Sequence, residues 1–120
     1  MKFSSYYIIL TILIVLFLTS SCEFNNNDDP ADSNLIQIRD NSFDPPVLSV
    51  VVGRVVAWRH EGSSPHTVTS GSPTQNPGSR FDSGTLRNGQ GFTFTFSEAG
   101  IYPYFCKIHG AMMSGTIQVR

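Results

Sequence analysis

Residues Phe92-Thr93-Phe94-Thr95-Phe96 alternate a ring with a hydroxyl at strict period two. Two is the side-chain repeat of a β-strand, so the pattern predicts a strand with three Phe rings on a buried face and two Thr on the other. Burying a Phe contributes about 1.5–3 kcal/mol, which matters to a small domain with little core to spare. The other apolar runs are equally short. Leu35, Ile36 and Ile38 start a run that ends at Asp40-Asn41, Val47 to Val52 stop at Gly53-Arg54, and Val55-Val56-Ala57-Trp58-Arg59 make a third. Thr67-Val68-Thr69, Ile101 to Cys106 and Met113 to Val119 complete the series, with Trp58 expected in or beside the core. Short runs punctuated by turn residues, without a helical period, predict an all-β sandwich or barrel. Pro103 cannot donate to a ladder, so its part of the strand must be an edge, a bulge or a non-donating position. The segment from Ser70 to Ser79 reads as an exposed loop.

The N-terminal quarter is of a different kind. Lys2 precedes an apolar run from Tyr6 to Leu18 broken by one Thr, and Thr19-Ser20-Ser21 lead to Cys22. Basic start, apolar centre and small residues form the layout of an export signal over residues 1–21, too short for the roughly 20 apolar residues of a spanning helix. Cys22 resembles the lipidated cysteine of a bacterial lipoprotein; plain secretion and an uncleaved anchor are the alternatives. All three place the rest of the chain outside the cytoplasm, facing the periplasm or cell surface. Residues 22–34 are expected to form a flexible tether, because a stretch of Asn, Asp, Ser and Pro cannot offset its ordering entropy by burial. It carries Glu23, Asp28, Asp29 and Asp32, whereas residues 35–120 hold seven basic and five acidic side chains. That balance points to neither nucleic acid nor a strongly charged partner.

The chemistry-bearing residues concentrate near the C-terminus. Cys106-Lys107-Ile108-His109-Gly110-Ala111-Met112-Met113 places a thiol, an imidazole and thioethers in one short stretch. Imidazole and thiolate in a plane, with a weak axial thioether, suit a copper ion that alternates between Cu(I) and Cu(II). Zinc also accepts His and Cys. A second imidazole is needed, and His66 can supply it only if a β-fold brings two distant loops together. An unpaired thiol exported into an oxidising compartment calls for burial or ligation, and with Cys22 lipidated no disulfide partner remains for Cys106. A Cys22–Cys106 disulfide is the alternative.

Pro65-His66-Thr67-Val68, followed by Gly100-Ile101-Tyr102-Pro103-Tyr104-Phe105-Cys106, a Cys-x-x-His loop and Met-x-Gly, resembles the cupredoxins of the plastocyanin/azurin type. The likeness covers about residues 35 to 120 and implies a Greek-key β-sandwich holding one type 1 copper per chain. It implies His66, Cys106 and His109 as metal ligands. The axial Met of the family is regularly followed by any residue and then Gly, which favours Met113 through Met113-Ser114-Gly115 and leaves Met112 as the alternative. His60 has no counterpart in the pattern and is expected at the surface. Lys107 stands where the family often has Ser or Thr.

The resemblance implies a monomeric one-electron carrier whose redox partners dock at an apolar patch of Gly110, Ala111 and Met112 around His109. A module that buffers or delivers copper is the alternative, although a rigid four-ligand site is poor for handing over metal. An oxidase or reductase would need a second copper domain and a three-His site. With no open coordination position expected, the reading is of a non-enzyme.

Overall fold

The apolar runs become strands whose register decides which side chains reach the interior, except that the expected strand from Thr67 is a strand only from Thr69 on. The computed structural model describes residues 34–120; the expected export signal, Cys22 and the acidic tether up to residue 33 lie outside the described residues. In chain order the strands are β1 (Leu35–Arg39), β2 (Ser42–Asp44), β3 (Val47–Val50), β4 (Val55–His60), β5 (Thr69–Ser70), β6 (Gly91–Thr95), β7 (Gly100–Cys106) and β8 (Gly110–Val119). They form two four-stranded sheets, β2-β1-β4-β6 and β3-β8-β7-β5. Most neighbours are antiparallel, but β1 runs parallel to β4, and β3 parallel to β8.

Alternation places Ile36 and Ile38 of β1, Val56 and Trp58 of β4, Leu48 and Val50 of β3, and Ile117 and Val119 of β8 in one buried cluster between the sheets. Trp58 is the hub of an aromatic group, its ring 5.5 Å from Tyr104 and 5.8 Å from Phe81. The expected buried face of the Phe strand is only partly sealed. Phe96 is buried, while Phe92 and Phe94 are half-buried and pack against the core. The reason is position: β6 is an edge strand, covered by Phe81 from the long connection between β5 and β6, whose ring lies 4.9 Å from Phe94. Residues 71–79 of that connection are exposed or half-buried, as the expected loop requires, whereas Phe81 and Leu86 beyond them are buried, as is Ser70 at the end of β5.

Pro103 sits where its missing N–H costs nothing. Its carbonyl accepts from Gly71 N at 2.8 Å, just beyond the two-residue β5, so its nitrogen also faces the side where that strand has run out. A close approach explains another residue. A Cβ at Gly115 would lie 2.4 Å from both Cζ and the hydroxyl of Tyr104, so only glycine lets that buried ring cross β8.

Candidate metal centre

His66 enters the site from the β4–β5 connection. Its backbone is held by a two-way bridge to Leu86, His66 N donating to Leu86 O at 3.0 Å and Leu86 N to His66 O at 2.7 Å. The side chain is fully buried. Burial pushes the imidazole below its ordinary pKa, and the neighbouring His60 and His109 add to the effect.

Cys106 ends β7, where the pairing with β8 shifts so that Cys106 stands opposite Gly110. Lys107, Ile108 and His109 form the intervening turn. Gly110, with φ +64°, supplies the left-handed residue that returns the chain into β8. The thiol is buried and faces His66 Nδ1 at 3.7 Å and His109 Nδ1 at 3.6 Å. Thr67 N–H donates to the sulfur at 3.4 Å.

A closed set of hydrogen bonds ties these two elements together. Lys107 N donates to Thr67 Oγ1 at 2.9 Å, Thr67 Oγ1 lies 3.0 Å from Thr69 Oγ1, and Thr69 Oγ1 donates to Asp82 Oδ1 at 3.2 Å. Lys107 Nζ returns to Asp82 Oδ2. Burial works against the Asp82 carboxylate, yet Lys107 and the Gly84 amide hold its pKa below the ordinary value. Lys107 is therefore more than a substitute for a small hydroxyl residue, because both its amide and its ammonium anchor the turn.

His109 is half-buried, its ring 4.8 Å from that of His66. The two adjacent methionines point opposite ways. Met113 is 1% exposed and shares the inward phase of Gly115, Ile117 and Val119, whereas Met112 is 92% exposed. A strand can turn only one of two neighbouring side chains inward.

His60 departs from expectation. Placed at the surface by sequence reasoning, it is 1% exposed, because Val56, Trp58 and His60 share the inward face of β4. Its ring stacks on His66 with centroids 5.0 Å apart, and its Nε2 lies 2.7 Å from Ser64 O. Period two carried on from Trp58 was the signal that could have found it.

His66, Cys106 and His109 bring one nitrogen, one sulfur and one nitrogen within 4.8 Å of one another. The spacing fits a shared ion. A sulfur about 2.3 Å and a nitrogen about 2.0 Å from one ion, 120° apart, lie about 3.7 Å from each other. Two imidazoles and a thiol form the soft donor set of a type 1 copper centre.

Sandwich and donor set together define the cupredoxin class, and comparison with known proteins gives the family. The model of the copper binding proteins of the plastocyanin/azurin family matches residues 31–120, and the chain belongs to that family. It is 29% identical to plastocyanin of Scenedesmus fuscus over 84 residues, covering 65% of this chain and 86% of that one. It is likewise 29% identical to amicyanin of Paracoccus versutus over 90 residues, 75% of this chain and 67% of the relative. Among solved structures, a purple cupredoxin from Nitrosopumilus maritimus superposes with a TM-score of 0.65 at 28% identity, covering 72% of this chain and 98% of its own. An amicyanin variant in the reduced state gives a TM-score of 0.61 at 27% identity, covering 72% and 80%. The cofactor of this chain is copper.

Proposed function

We propose that this protein is an extracytoplasmic electron carrier rather than an enzyme. His66 Nδ1, Cys106 Sγ, His109 Nδ1 and the Met113 thioether would hold the copper. The observation that carries the reading is the convergence of those three donor atoms, two of them on buried residues, with the Thr67 amide on the sulfur. Burial of Met113 and exposure of Met112 support the choice between them. Bound copper supplies a couple between Cu(I) and Cu(II). The residues of the chain do the rest. Bridged to Leu86 and tied to the Cys106 turn through Thr67, the ligands keep their places whichever charge the site carries, so little reorganisation opposes transfer.

Exchange takes place at the His109 end. Ile108 is 50% exposed and Met112 92%, and with Gly110 and Ala111 they surround a half-buried imidazole with apolar and small side chains. Such a surface admits a redox partner close to the metal. Residues 35–120 form the copper domain, and Cys22 carries a lipid that holds it at a membrane through the tether.

Visible absorption and electron paramagnetic resonance of the Cu(II)-loaded protein test this directly. Expected are an intense thiolate-to-copper band, lost in Cys106→Ser, and narrow hyperfine splitting that disappears with ascorbate and returns on reoxidation. A pale spectrum unchanged in Cys106→Ser would overturn the reading in favour of copper buffering by histidines.

A further inference from the structure

His66 offers two ring nitrogens, and the copper reading uses only Nδ1. Its Nε2 is buried and has no hydrogen-bond partner among the described residues. The charged group facing that nitrogen is the carboxylate of Asp40, whose Oδ1 lies 4.0 Å away. This exceeds a direct hydrogen bond and is within range of a charge acting on an N–H dipole.

The position of Asp40 is set by the loop that delivers His66. Asp40 Oδ1 accepts from the amides of Ser63 and Ser64, the latter at 3.0 Å, and Oδ2 accepts from Ser63 Oγ at 2.9 Å. The loop is also cut to admit it. A Cβ on Gly62 would lie 2.5 Å from Asp40 Oδ1 and 2.9 Å from its backbone nitrogen. His60 closes the other side, its ring stacked on His66 and its Nε2 at Ser64 O. The carboxylate is therefore oriented independently of His66, although Asp40 is half-exposed to solvent.

We propose that Asp40 is a positioning residue for His66, its carboxylate holding the ring in the tautomer that carries the proton on Nε2 and leaves Nδ1 free for the metal. The inference rests on the copper reading of the site. A carboxylate behind a ligating imidazole also makes the ligand more basic, which favours the higher oxidation state of a bound metal. Asp40 thus both staples the loop to the end of β1 and sets the electronic character of one ligand.

Two measurements separate these roles. In the metal-free protein, ¹⁵N NMR of the imidazoles is expected to show His66 protonated on Nε2; a population dominated by protonation on Nδ1 would overturn the proposal. Asp40→Asn keeps the acceptor for the Ser63 and Ser64 amides and removes the charge. It is expected to retain the blue band, to weaken Zn(II) binding in a competition titration by about tenfold, and to raise the reduction midpoint. A tenfold gain in preference for Cu(I) corresponds to about 59 mV. Unchanged Zn(II) affinity and midpoint in Asp40→Asn, with Asp40→Ala merely less heat-stable, would leave Asp40 a loop staple and overturn the inference alone. Wild-type protein lacking the blue band would overturn the copper reading and the inference with it.

Discussion

At the scale of single residues, the adjacent methionines and the glycine after them show how little sequence separates ligand, surface and spacer. Met113 faces the core and Met112 the solvent because they are neighbours on one strand. Met112→Lys is expected to slow electron exchange with a partner while leaving the visible spectrum intact, whereas Met113→Ala is expected to change the spectrum. The reverse result, read by absorption spectroscopy and stopped-flow mixing, would exchange their roles. Gly115 follows for a steric reason, since a methyl group there meets the Tyr104 ring. Gly115→Ala is expected to cost about 1–3 kcal/mol in urea unfolding, the range for overpacking a core. Tyr104 itself contributes a pH dependence. Burial raises its phenol above the ordinary value of about 10, with the Trp58 indole partly opposing. The unfolded chain therefore loses that proton first. The stability from the neutral phenol is fully present below pH 10.0 and falls as the pH rises toward the folded value. Tyr104→Phe is expected to flatten the alkaline decline in the denaturation midpoint.

At the scale of elements, the site lies just beyond the antiparallel pairing of β5 with β7, where the ladder ends and side chains make the links. The residues after His66 and the turn after Cys106 are linked by Lys107 N to Thr67 Oγ1 and by Thr67 N to Cys106 Sγ. Thr67→Val preserves the shape but leaves the Lys107 amide without its acceptor, at an expected cost of about 1–3 kcal/mol. Broadened hyperfine features of the Cu(II) protein would show that the turn had loosened as well. The β5–β6 connection matters in the same way. Phe81 reaches from it into the aromatic group around Trp58 and covers the edge strand β6. Phe81→Ala is expected to cost about 3–5 kcal/mol, measured by chemical denaturation. Period two in Phe92 to Phe96 made the strand legible, but its degree of burial was not, because an alternating pattern does not say whether the strand lies at an edge.

For the whole molecule, β1 and β4 run parallel toward the metal centre. Asn34 accepts from Ala57 at one end of the sheet, and His60 stacks on His66 at the other. Asn34, the first of the described residues, thus lies at the end of the sheet away from the centre. Loading with copper should stabilise the folded state alone, by about 4 kcal/mol when free metal exceeds the dissociation constant a thousandfold. The thermal midpoint is expected to rise on loading and to fall back when a chelator removes the metal. An equal midpoint with and without metal would mean that the donors do not converge on one ion.

The sequence by itself determined what short windows can encode. Alternation specifies strands, turn residues specify their ends, and the three-residue step from Cys106 to His109 places a thiol and an imidazole in one turn. The resemblance added His66 and its family. Only the tertiary structure decided how the chain folds over the 40-residue step from His66 to Cys106 to leave their donor atoms 3.7 Å apart. It also brought Asp40 from the end of β1 to His66 Nε2 and buried His60 against the same ring. Periodicity is a property of a local segment, whereas contact between segments depends on which strands pair and in what order. No residue pattern around Asp40 or Phe81 announces a partner that sheet order alone supplies.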